Sequence, residues 1–104
     1  MSRPADPHRA LRRALSQHLG QDGTRFGPSC TRPWASVTFS GARHEFDLYL
    51  ESGPAMARAM VLHDNARHAE FDLPGHIVAD FNVSLSTTAY GQLLHIEALT
   101  VETA

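Results

Sequence analysis

Glu70–Leu85, EFDLPGHIVADFNVSL, decides how the chain is read. Leu73-Pro74-Gly75 is turn chemistry, because proline fixes φ and glycine admits positive φ. From Ile77 onward the side chains alternate. Ile77, Ala79, Phe81, Val83 and Leu85 fall on one face, and Val78, Asp80, Asn82 and Ser84 on the other. A period of two is the signature of a half-buried strand. Such a strand needs pairing partners at its edges and a layer over its apolar face.

Two alternating runs lie upstream. In Trp34–Gly41, Ala35, Val37 and Phe39 alternate with polar neighbours and Trp34; in His44–Glu51, Phe46, Leu48 and Leu50 alternate with Glu45, Asp47 and Tyr49. The short link Ser40-Gly41-Ala42-Arg43 joins them as a hairpin. Downstream, STTAYGQ (86–92) turns the chain into a last strand, Leu93–Glu102. There Leu94, Ile96 and Ala98 alternate with Leu93, His95, Glu97, Leu99 and Val101. Apolar residues on both faces mark a central or doubly covered strand.

Two helices complete the set. Asp6 is placed to cap the first, with Pro7 at its first position and Gly20 past its end. Leu11, Ala14, Leu15, His18 and Leu19 recur at helical spacing, while Arg9, Arg12, Arg13 and Gln17 face away. The second helix follows Ser52-Gly53-Pro54, and Ala55, Ala59, Leu62, Ala66 and Ala69 share one small-residue face. Propensity favours a helix there over the competing hairpin within 55–73, which would turn at Asp64-Asn65. Residues 20–33, rich in Gly and Pro, read as a long loop anchored by Phe26.

The order is therefore α-β-β-α-β-β: an α+β fold with a four-stranded antiparallel sheet and two helices on one face. It is compatible with a circularly permuted ferredoxin-like arrangement, a likeness of fold alone. At 104 residues the chain is one domain, 1–104. ARHEFDL (42–48) and ARHAEFDL (66–73) echo one another, but the flanking sequences share little and the match reads as coincidence.

Composition narrows the function classes. No apolar run reaches the roughly 18 residues of a membrane helix, and no secretory leader is visible, which implies a cytoplasmic protein without membrane contact. The lone Cys30 rules out an internal disulfide and has no base nearby to make it a nucleophile. All nine basic side chains are arginine; residues 1–34 hold six of them against Asp6 and Asp22, while the rest holds three against nine acids. The arginines of the first helix lack interleaved aromatics, so the expectation is a solvated face and no nucleic-acid partner.

With both helices on one face, the other face of the sheet is open. It carries Trp34, Asp47, Tyr49, Leu93, Leu99 and Val101 as candidate binding residues, beside Asp80, His95 and Glu97. Apolar and ionisable groups mixed in this way suit a homodimer stacked through its sheets, enclosing a polar pocket for a small ligand. The leading expectation is a self-associating binding module that requires no cofactor. The alternative is a small metal-dependent or acid–base enzyme with Asp80, His95 and Glu97 as catalytic candidates and His95 and Glu97 as metal ligands. His8, His18, His44, His63, His68 and His76 show no ligand spacing. Gly-rich phosphate loops and nucleophile elbows are missing too, which favours binding over catalysis.

Overall fold

A computed structural model describes residues 6–20 and 22–103. Arg3 of the basic leading segment and Gln21 of the expected loop lie outside them. The described elements are α1 (Pro7–Leu19), β1 (Thr24–Ala35), β2 (Ser40–Leu50), α2 (Gly53–Asp64), β3 (His76–Thr88) and β4 (Gly91–Glu102), with a 3₁₀ turn at Ala66–His68. The strands form one antiparallel sheet in the order β1-β2-β4-β3. β2 and β3 thus run parallel with β4 between them, joined by α2 as the crossover. This is the strand order that circular permutation of a split β-α-β arrangement produces.

The α1 boundaries follow its punctuation. Asp6 accepts from the His8 and Arg9 amides at 3.0 and 3.3 Å, and Gly20, at φ 74°, donates to the Ser16 carbonyl. Leu11, Leu15 and Leu19 are fully buried against Phe46, Leu48, Leu94 and Ile96 of the central strands. Ala55, Ala59 and Leu62 of α2 complete this layer, the two small alanines letting the helix sit close to its neighbours. Arg58 of α2 donates to the carbonyl of Leu19 and, at 2.7 Å, to that of Asp22. A cation thus sits on the negative end of α1 and ties the two helices together.

Several local expectations need correction. The stretch 20–33 is not a loop: Thr24–Ala35 is β1, an edge strand whose outer side pairs with none of the described residues and which bulges between Phe26 and Ser29, at Gly27-Pro28. An edge strand tolerates prolines and glycines that would end a central one, and here they hid it. Trp34–Gly41 is correspondingly not a strand. Its centre, Ser36–Phe39, is the hairpin turn, closed by the Ser36 amide on the Phe39 carbonyl at 2.7 Å and by Ser36 Oγ accepting from Phe39 N at 3.1 Å. Val37 and Phe39, expected in the core, are 106% and 57% exposed.

In β3 the register shifts between Val78 and Asp80, leaving Ala79 as a bulge. The extra residue inverts the faces upstream of it. Val78 packs against the core and Ile77 is 54% exposed, opposite to the alternation read from the sequence. Phe81, Val83 and Leu85, beyond the bulge, face the core as expected.

Within 55–73 the chain is helical to Asp64, and the hairpin alternative does not form. Asn65 ends α2, so Ala66 and Ala69 leave the apolar face. β3 continues through Thr88, with only Ala89 and Tyr90 in the turn to β4. The two echoing segments adopt unrelated structures, a strand and a 3₁₀ turn, in keeping with coincidence.

Candidate functional site on the open sheet face

Register places the open-face residues in cross-strand rows. Trp34, Gly41, Val101 and Ile77 form an apolar row at one end. Next come Arg32, Arg43, Leu99 and Asp80, then Cys30, Glu45, Glu97 and Asn82. Asp47, His95 and Ser84 follow, and Arg25, Tyr49, Leu93 and Ser86 close the set. Successive rows stand two residues apart along each strand, about 6.7 Å.

The centre of this face is ionisable. His95 Nδ1 lies 2.6 Å from Asp47 Oδ1, and its Nε2 lies 3.3 Å from Glu97 Oε1. The hydrogen bond to Asp47, with that to Glu97, holds the imidazole pKa above its ordinary value despite partial burial. Glu45 stands beside them, and one donor atom each from Glu45, His95 and Glu97 falls within a mutual 4.8 Å. On the neighbouring strand the Cys30 thiol donates to Glu45 Oε2 at 3.1 Å, which raises the thiol pKa and keeps sulfur in its less reactive form.

Among the described residues, Glu45 has no cationic side chain within 4.0 Å, and neither Arg32 nor Arg43 has a carboxylate within that distance. A cavity of about 230 Å³ opens between these arginines and Glu45, Glu97, Asp80 and Asn82. A second, of about 200 Å³, is lined by Pro28, Ser29, Cys30, Glu45, Asp47 and His95.

Trp34, Asp47, Tyr49, Leu93, Leu99 and Val101 all stand on this face. Arg25 covers the Tyr49 ring, its guanidinium carbon 4.6 Å from the centroid. His95 and Glu97 meet, but Asp80 does not join them. It is two rows from His95, and its carboxylate accepts from Asn82 at 3.1 Å. The partner of His95 comes not from β3 but from β2, where Asp47 makes the contact and Glu45 stands within 4.8 Å. Alternation alone put both carboxylates on the open face; only the strand order says that they flank His95.

The inner face holds a second polar group, centred on His44. His44 is 1% exposed, with Nε2 2.8 Å from Thr100 Oγ1 and Nδ1 3.0 Å from His8 Nδ1; His8 Nε2 in turn lies 3.0 Å from Ser29 Oγ. Burial, and then the neighbouring His8, push the His44 pKa down to about 4. Parity with Phe46 was the available signal for a core-facing His44. In α1, Arg12 lies over Phe26, its guanidinium carbon 4.4 Å from the ring centroid, so that arginine helps to pin β1 to the helix.

The class defined by this fold and face is a two-layer α+β domain whose antiparallel sheet has one face that no described element covers. No family model, curated protein or solved structure matches the chain. Among the described residues no helix is long and apolar enough to cross a membrane.

Proposed function

We propose that the chain is a binding module that self-associates through its open sheet face. The observation that carries this reading is the row pattern. Apolar side chains (Trp34, Val101 and the exposed Ile77 at one end, Tyr49 and Leu93 at the other) bracket a charged centre. Val37 and Phe39 of the β1–β2 turn extend the first of these patches beyond the sheet.

The rows on either side of the central one are complementary to each other. A two-fold axis across the strands, passing through the Cys30–Asn82 row, sets the Arg43 row of one copy over the Asp47 row of the other, and apolar end over aromatic end. Arg43 then meets Asp47, and the Glu45–Glu97 row, lying on the axis, faces its own copy across an enclosed ligand pocket.

Sedimentation of the purified chain at micromolar concentration tests the proposal. Wild type should be dimeric. Val101→Arg, which puts a charge where the apolar end of one copy meets Leu93 of the other, should be monomeric while keeping a cooperative thermal melt. A monomeric wild type, or a dimer indifferent to both Val101→Arg and Trp34→Arg, would overturn it.

A further inference from the structure

We infer that Glu45, His95 and Glu97 form a binding site for a divalent transition-metal ion of the Zn²⁺ type, oriented by Asp47. The site is contained within one chain and does not depend on self-association.

The donor set selects the ion. One imidazole nitrogen and two carboxylates suit Zn²⁺, whereas Mg²⁺ and Ca²⁺ prefer oxygen ligands alone. Geometry agrees. Bonds of about 2.0–2.1 Å at tetrahedral angles place ligand atoms about 3.3 Å apart. His95 Nε2 and Glu97 Oε1 already stand 3.3 Å apart. The Glu45 carboxylate lies within the 4.8 Å spread of the group, so a rotation of its exposed side chain brings it into place. Glu45 and Glu97 face each other in register on paired strands, so the backbone that presents them is fixed by the sheet ladder.

The surroundings match what such a site requires. Asp47 engages His95 Nδ1 at 2.6 Å, leaving Nε2 as the nitrogen turned toward the two glutamates. A carboxylate on the far nitrogen of a ligating histidine is the usual outer support of a metal-bound imidazole. The cavity lined by Cys30, Glu45, Asp47 and His95 borders the donors and leaves room for a fourth, water ligand. Among the described residues Glu45 has only a thiol for a partner, so an incoming cation displaces no ion pair there.

Calorimetric titration of chelator-treated protein with Zn²⁺, and separately with Mg²⁺, tests the inference. The expected result is one Zn²⁺ per chain and no comparable Mg²⁺ binding. His95→Gln and Glu97→Gln should abolish uptake, and Asp47→Asn should weaken it about 10–100-fold without abolishing it. Asp80→Asn, outside the group, should leave it unchanged. The side chains replaced are at the sheet surface, and retention of a cooperative melt verifies each variant. Should His95→Gln fail to fold, Glu45→Gln and Asp47→Asn decide the matter by the same readout. Absence of saturable Zn²⁺ uptake, or uptake indifferent to these substitutions, would overturn the site. Sedimentation of the same samples keeps this result separate from the state of assembly.

Discussion

His44 Nε2 lies 2.8 Å from the hydroxyl of Thr100, both residues essentially without solvent exposure, on adjacent strands beneath the N-terminus of α1. One proton arrangement satisfies the whole chain of contacts. Ser29 donates to His8, His8 to His44, His44 to Thr100, and Thr100 to the Ala42 carbonyl at 3.4 Å. In this arrangement both imidazoles are neutral. Burial opposes a charge on either ring, and protonation of both sets two N–H groups against each other across 3.0 Å.

Stability should therefore fall on mild acidification. The folded pKa of His44, about 4, lies below the ordinary 6.5. Below pH 6.5 the unfolded chain binds the proton that the folded chain refuses. The stabilisation is complete above that pH and is lost progressively as pH falls toward 4, by about 2–3 kcal/mol in all. Urea denaturation between pH 8 and pH 4.5 measures the slope. His44→Leu should be less stable than wild type at neutral pH but should lose less on acidification. Parallel pH profiles for the two proteins would refute the neutral pair.

The bulge at Ala79 makes a second prediction. Strict alternation puts Ala79 and Phe81 side by side in the core, so that aspartate at either position would unfold the domain. The register shift between Val78 and Asp80 leaves Ala79 exposed and Phe81 packed on the core against Phe71, ring centroids 4.8 Å apart. Ala79→Asp should thus change stability by no more than about 0.5 kcal/mol. Phe81→Asp should abolish the cooperative transition, an unpaired charge costing a large part of a total of about 5–15 kcal/mol. Equal effects in a denaturant melt would mean that the bulge is absent in solution.

These two residues also mark how far the sequence could be read. Element order, helix caps and the inner faces of β2 and β4 were legible because each follows from local spacing or local capping chemistry. The Ala79 bulge was not, since an inserted residue resets the alternation without any glycine or proline to announce it. β1 was missed for the opposite reason: Gly27, Pro28 and Pro33 read as loop punctuation, yet an edge strand with one unpaired side accepts them. The site suffered in consequence. With residues 20–33 treated as loop, Cys30 and Arg32 had no place on the face, and Asp80 took the role beside His95 that strand order gives to Asp47 and Glu45.

Gly41 supplies a further test, because its requirement for glycine is one of space. Its φ is not positive, so an alanine there meets no conformational barrier of the kind present at Gly75, φ 72°. A Cβ at Gly41 would instead lie 1.9 Å from the Thr100 carbonyl oxygen and 3.1 Å from Trp34 Nε1. The Trp34 indole crosses the strand over this position and donates to the same carbonyl at 3.3 Å. Gly41→Ala must then displace a backbone oxygen in the centre of the sheet, and the indole with it, at a cost of about 1–3 kcal/mol. Trp34 is the only tryptophan, so its emission reports the displacement directly. The expected outcome is a red-shifted spectrum together with a lowered urea midpoint. Gly75→Ala, with nothing within 4 Å of its added methyl, should lower the midpoint through backbone strain alone and leave the emission unmoved. Unshifted emission in Gly41→Ala would show that the indole does not lie across the sheet.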